Sequence, residues 1–154
     1  MVEEGKKAPD FTLPGDGGEK IKLSALKGGP VVLYFYPKDD TPGCTKEAIA
    51  FTGLLKDFEE LDAAIIGVSP DGVAAHDKFI AKHKLAIRLA ADEDKKVVEK
   101  YGVWVEKSMY GRKYMGVERS TFLIDAKGKV AKVWRKVKVP GHAEAVLDAV
   151  KDLA

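Results

Sequence analysis

The order of hydrophobic and polar positions predicts most of the secondary structure. Val31-Val32-Leu33-Tyr34-Phe35-Tyr36 is apolar without alternation, as a strand covered on both faces must be. Ala64-Ile65-Ile66-Gly67-Val68 has the same character and is closed by the turn Ser69-Pro70-Asp71-Gly72. Between them Phe51, Leu54, Leu55, Phe58 and Leu61 recur at helical spacing and predict one long amphipathic helix. Upstream, Asp10–Pro14 and Lys20–Leu23 flank Gly15-Asp16-Gly17-Gly18, which reads as strand, turn and strand. Lys27-Gly28-Gly29-Pro30 then breaks the chain before the first buried run. Downstream, helices are predicted over Val73–Lys84 and Lys95–Tyr101, with a short strand at Ile87–Ala90. Thr121–Ile124 and Val130–Trp134 flank Asp125-Ala126-Lys127-Gly128 as a β-hairpin. Pro140-Gly141 precedes a last helix, His142–Leu153, which buries Val146, Leu147 and Val150.

Length makes these elements one domain, residues 1–154. Alternating units around buried parallel strands give an α/β fold, and the closing antiparallel hairpin makes its sheet mixed. That order suits a thioredoxin-like sheet, flanked by helices, with an added N-terminal β-hairpin.

Composition removes several function classes. Hydrophobic residues make up 45% of the chain, enough for a core that needs no staple. The single cysteine excludes an internal disulfide and a cysteine-rich metal site. Charged residues are frequent, but the net charge is only +2, which leaves no nucleic-acid or membrane footprint. Met1–Lys7 lacks the apolar centre of a secretory signal, and no run reaches the ~20 apolar residues that cross a bilayer. The expectation is a soluble, cytoplasmic protein whose thiol the compartment keeps reduced.

The candidate chemistry lies in Pro37-Lys38-Asp39-Asp40-Thr41-Pro42-Gly43-Cys44-Thr45, between the first buried strand and the long helix. Thr41 suits an N-cap and Pro42 the first helical position. Gly43 lets the backbone come close to a bound group. Cys44 then falls in the first turn, where free amides and the helix dipole favour an anion. The thiolate is the nucleophilic form of cysteine. The competing reading is a buried, inert cysteine at a helix start. Thr41 is contested too, because a hydroxyl spent on capping is not free for a substrate.

Pro37, Thr41 and Cys44 match the P-x-x-x-T-x-x-C signature of peroxiredoxins. Tyr34-Phe35-Tyr36-Pro37 through Thr41-Pro42-Gly43-Cys44-Thr45, with Glu47, resembles the bacterioferritin-comigratory, or Q-type, branch. So do Pro9-Asp10-Phe11, Asp125–Lys129 and Val137–His142. The resemblance implies a thiol-dependent, antioxidant peroxidase acting on hydrogen peroxide and small organic hydroperoxides, with no cofactor and no metal. Cys44 would be the peroxidatic thiolate, Thr41 would hydrogen-bond the peroxide, and Pro37 would shield the pocket. Arg119 matches an arginine of the family that holds the thiolate and polarises the peroxide; by itself it also reads as a surface charge paired with Glu118 or a sheet neighbour. Glu47, three residues after Cys44, is either part of the site or compensation of the helix dipole.

Many Q-type members carry a second, resolving cysteine, at positions that align with Ile49 or Ile80 here. This chain has none, so its sulfenic acid must meet an external thiol (thioredoxin, glutaredoxin or a low-molecular-weight thiol) or the Cys44 of another copy of the chain. A monomer or weak homodimer is expected. The rival function is a redox sensor or binding module switched by oxidation of Cys44.

Other signals are read structurally. His76 and His83 are seven residues apart, about 10.5 Å along a helix, too far to share a metal, and read as partly buried histidines. His142 reads as the start of a helix rather than a base, and Asp92-Glu93-Asp94 as cap and dipole residues. Lys132, Arg135, Lys136 and Lys138 with Trp134 read as the outer side of a strand.

Overall fold

In the computed structural model, β3 (Val31–Phe35) is buried at every residue and occupies the middle of a five-stranded sheet. Its parallel neighbour is β4 (Ala64–Ser69), which in turn pairs in parallel with β5 (Arg88–Ala91). On its other side β8 (Ser120–Ile124) runs antiparallel, and β9 (Val130–Trp134) completes the order β5-β4-β3-β8-β9. The fold is thioredoxin-like, with a mixed central sheet, as the order of elements implied. The structure describes residues 2–26 and 28–153, so Lys27 of the predicted chain break lies outside it.

The unbroken apolar run of β3 is explained by packing on both sides. Val31, Leu33 and Phe35 join one core with Val97, Val98, Tyr101, Phe122 and Ile124. Val32, Tyr34 and Tyr36 join the other with Cys44, Phe51, Phe58, Phe79 and Val146. The first core is closed by α4 (Lys96–Lys100) and by the N-terminal hairpin of β1 (Thr12–Pro14) and β2 (Lys20–Lys22). The second lies under α1 (Pro42–Gly53), α2 (Leu55–Glu60), α3 (Val73–His83) and α5 (His142–Leu153). Cys44 is thus held between the central strand and a helix layer.

Two departures from the sequence pattern matter. The single long helix is two helices, broken at Leu54 (φ −105°, ψ 4°), whose N–H turns back to Phe51 and Thr52 carbonyls. Gly53, a weak helix former, immediately precedes the break. Phe51 and Phe58 are buried on either side of it in one core, so apolar spacing could not report it.

The second departure is a hairpin in the stretch 102–120, where no element is predicted. Strands β6 (Trp104–Met109) and β7 (Arg112–Val117) pair antiparallel around Tyr110 and Gly111. Both turn residues have positive φ, 52° and 76°, as a two-residue type I′ turn requires. Tyr-Gly lacks the Asn-Gly or Asp-Gly signature of that turn. Met109, Tyr110, Tyr114 and Met115 also leave the hairpin largely exposed, so burial imposes no clean alternation. The base is fixed: Val103 and Val117 are buried, and Glu118 N–H donates to Val103 O at 2.7 Å.

Candidate active site

Two segments converge on the sulfur of Cys44, and a carboxylate farther along α1 braces them. The first is the β3–α1 loop, continuous with the first turn of α1. Pro42 opens that helix, and Thr45 N–H donates to Thr41 O at 2.8 Å. The amides of Gly43 and Cys44 precede any intrahelical acceptor and face the site end of the dipole. Thr41 has N-cap geometry (φ −90°, ψ 155°), but its side chain does not cap. Its hydroxyl instead donates to Lys38 O at 2.9 Å and closes the loop on itself. The expected conflict between capping and substrate contact is therefore absent, and the hydroxyl's lone pairs stay clear of the helix amides.

The second segment brings Arg119. The β6–β7 hairpin ends at Val117, and Arg119 is the last residue before β8. Its backbone is pinned where Val137 N–H donates to Arg119 O at 2.9 Å. Its guanidinium then forks: Nη2 donates to Cys44 Sγ at 3.3 Å, and Nη1 donates to Glu47 Oε1 at 2.6 Å. The pairing with Glu118 considered from the sequence is replaced by this buried one. Burial opposes the charge on Arg119, but Glu47 and Cys44 outweigh it and raise its pKa. Gly43 gains a specific meaning. A Cβ there would stand 3.1 Å from Arg119 Nη2, so the close group is the guanidinium.

The third contribution is Glu47, one turn along α1 from Cys44 and only 1% exposed. It is no surface dipole residue. Burial pushes its carboxyl up and the guanidinium pulls it down; the balance lies at about 7. Oε2 of Glu47 and the hydroxyl of Tyr34 are buried without a hydrogen-bond partner among the described residues. A raised carboxyl pKa has a sign. The folded chain holds a proton that the unfolded chain releases above its ordinary value of 4.5, so the stability contribution is full below 4.5 and lost as pH rises through about 7. Replacement by Gln removes that dependence. Denaturant titration at several pH values should show the stability of the wild type falling relative to Glu47→Gln between about pH 5 and pH 8, by roughly 3 kcal/mol at most.

Cys44 itself is 1% exposed, in contact with both the aromatic core and the guanidinium. Pro37, Thr41 and Gly43 are half-buried around the loop. The sequence pattern gave no hint of Lys107, which the unassigned hairpin carries to this neighbourhood. It feels the charges of Arg119 and Cys44, and burial together with Arg119 lowers its pKa. Asp39 and Tyr36 carry no separate role in the sequence pattern, and His76, expected to be partly buried, is wholly buried against both. His142 starts α5 as expected, buried, with Thr121 Oγ1 at 2.8 Å from its Nε2. Among the described residues no cluster of His, Cys, Asp and Glu could hold a metal ion, and no helix is long and apolar enough to cross a membrane.

The AhpC/TSA family profile matches residues 4–133. The chain is 53% identical to "Peroxiredoxin Bcp" of Bacillus subtilis, over 99% of this chain and 98% of the relative. Among solved structures it resembles a cysteine-to-serine mutant of Xanthomonas campestris Peroxiredoxin Q, with TM-score 0.92, 45% identity and coverage of 99% and 100%. A cysteine-to-serine mutant of Xylella fastidiosa PrxQ matches with TM-score 0.94 and 40% identity, covering 99% of this chain and 97% of that one.

Proposed function

The chain belongs to the AhpC/TSA family as a one-cysteine thiol-dependent peroxidase of the Bcp and peroxiredoxin Q branch, and we propose that Cys44, Thr41 and Arg119 reduce hydrogen peroxide and small organic hydroperoxides in a single domain. The observation that carries these roles is the fork of Arg119, which joins the only sulfhydryl to a buried carboxylate.

The thiolate of Cys44 attacks the distal oxygen of the peroxide. An S–O bond forms, the O–O bond breaks, and the electron pair leaves on the other oxygen, which takes a proton to become water or an alcohol. Negative charge moves from sulfur to the leaving oxygen. Fixed donors along that path lower the barrier because they need not reorganise as the charge moves. The Arg119 guanidinium stands at one end of the path, held in orientation by Glu47. The positive end of the α1 dipole favours the anionic sulfur, and the Thr41 hydroxyl orients the peroxide. Pro37 limits water at the mouth of the loop. The resulting sulfenic acid condenses with an external thiol to a mixed disulfide and water, and a second thiol releases Cys44. No second cysteine exists in the chain, so the resolving thiol comes from outside it: thioredoxin, glutaredoxin, a small thiol or the Cys44 of another copy.

Reduced protein mixed with excess hydrogen peroxide and a thiol should consume many equivalents of peroxide per chain, followed as loss of peroxide. Consumption of a single equivalent followed by arrest, with capture of a specific partner, would instead support the redox-sensor reading.

A further inference from the structure

Beneath the loop that carries Thr41 lies a buried polar cluster that plays no part in the chemistry described so far. The carboxylate of Asp39 accepts a hydrogen bond from the Tyr36 hydroxyl at 2.6 Å and lies 2.6 Å from His76 Nδ1. The other ring nitrogen, Nε2, is 3.0 Å from the carbonyl oxygen of Ala90. A carbonyl only accepts, so Nε2 carries a hydrogen. The short separation on the other side then requires one more proton, shared between imidazole and carboxylate. Burial alone would discharge the ring, but Asp39 reverses that and raises its pKa. Asp39 N–H in turn donates to Asp71 Oδ2, which also accepts from Ser69 Oγ.

These bonds tie one loop residue to three other parts of the fold: the turn after β4, helix α3 and strand β5. The tie reaches the site directly. Asp39 sits inside the closed turn made by Thr41 Oγ1 and Lys38 O, and Thr41 O begins the hydrogen bonding of α1. The next residue, Asp40, has φ 60° and is held from outside by Lys82 and His83 at 2.6 and 2.7 Å. The two α3 histidines, too far apart to share a metal, thus hold adjacent residues of the peroxide-binding loop.

We propose that Asp39 and His76 are positioning residues of the peroxidase, a buried carboxylate–imidazole pair that holds the Thr41 loop where its hydroxyl meets the peroxide. Their effect is on the geometry of the oxygen substrate and not on the sulfur, whose donor is Arg119. The inference rests on the peroxidase reading, and its test separates the two. The rate of Cys44 oxidation by hydrogen peroxide is measured by rapid mixing and trapping of the sulfenic acid. The rate of Cys44 alkylation by iodoacetamide, which makes no demand on Thr41, is measured on the same samples.

Asp39→Ala should slow peroxide oxidation about tenfold to a hundredfold, the scale of a displacement of order 1 Å, and change alkylation less than about threefold. Asp39→Asn should recover most of the loss. Its amide can still accept from Tyr36 and donate to a neutral His76, which keeps its bond to Ala90. If Asp39→Ala does not fold, Tyr36→Phe decides: removal of one bond to the carboxylate should slow peroxide oxidation about threefold with alkylation unchanged, by the same displacement argument. Equal losses in both reactions, a wild-type peroxide rate in Asp39→Ala, or an unchanged peroxide rate in the Tyr36→Phe fallback would overturn the proposal. A wild-type chain that reduces no peroxide would defeat the peroxidase reading itself.

Discussion

Cys44→Ser should bring peroxide consumption down to that of the thiol and buffer alone, with the folded structure kept. The hydroxyl of serine fits the space of the thiol but does not ionise near neutrality, so the same donors then surround a group with no nucleophilic form to stabilise. No other sulfhydryl in the chain can substitute for it. Burial of Cys44 among Tyr34, Phe51 and Ala48 makes an isosteric change mild for packing, so the thermal midpoint should move little. The measurement is peroxide loss against time for both proteins, with circular dichroism as the control for folding. Equal turnover by the two would remove Cys44 from the reaction.

Arg119→Ala should have the next largest effect, slowing oxidation of Cys44 by about 10²–10³-fold, the usual cost of deleting one preorganised donor. Two losses combine. Nη2 no longer meets the sulfur at 3.3 Å, and Glu47 loses the partner at 2.6 Å that offsets its burial. An unpaired buried carboxylate neutralises rather than stay charged, so Glu47 should take up a proton in the variant at neutral pH. Arg119→Lys should recover only part of the rate. One ammonium cannot reach in two directions as a planar fork does. Stopped-flow measurement of the first oxidation, apart from recycling, distinguishes this from a defect in reduction. An unchanged oxidation rate in Arg119→Ala would refute the role given to the guanidinium.

Both predictions start from residues visible in the sequence, but not equally so. Cys44 was legible because a strand, a Thr-Pro-Gly turn and a helix start are all local patterns, and local patterns fix where a first turn falls. Arg119 could be connected to Cys44 only through a family resemblance. Seventy-odd residues separate them, and no periodicity reports a contact across that distance. Glu47 was legible as a neighbour of Cys44 on the helix, while its near-complete burial and its raised carboxyl were not. Asp39 looked like one more acid in a polar loop, and His76 like one more histidine on a helix. Their pairing depends on where α3 crosses the loop.

The hairpin of β6 and β7 fails for a different reason. An alternating pattern is readable only where one face is buried and the other wet, and this hairpin is exposed over most of its length. It nevertheless sets the approach of Arg119, by ending at the buried Val117 and the bond from Glu118 N–H to Val103 O. The helix break at Leu54 was hidden because both pieces bury the same stripe.

By itself, then, the sequence determined the buried strands, the helices that cover them, the position of the thiol at a helix start and the lack of a second cysteine. Each is a matter of local chemistry or of counting. Tertiary structure alone decided which cation meets the sulfur, that Glu47 is buried with it, and that Asp39 and His76 clamp the loop. Those contacts join segments far apart in the chain, and their energies depend on desolvation, which exists only once the layers have closed.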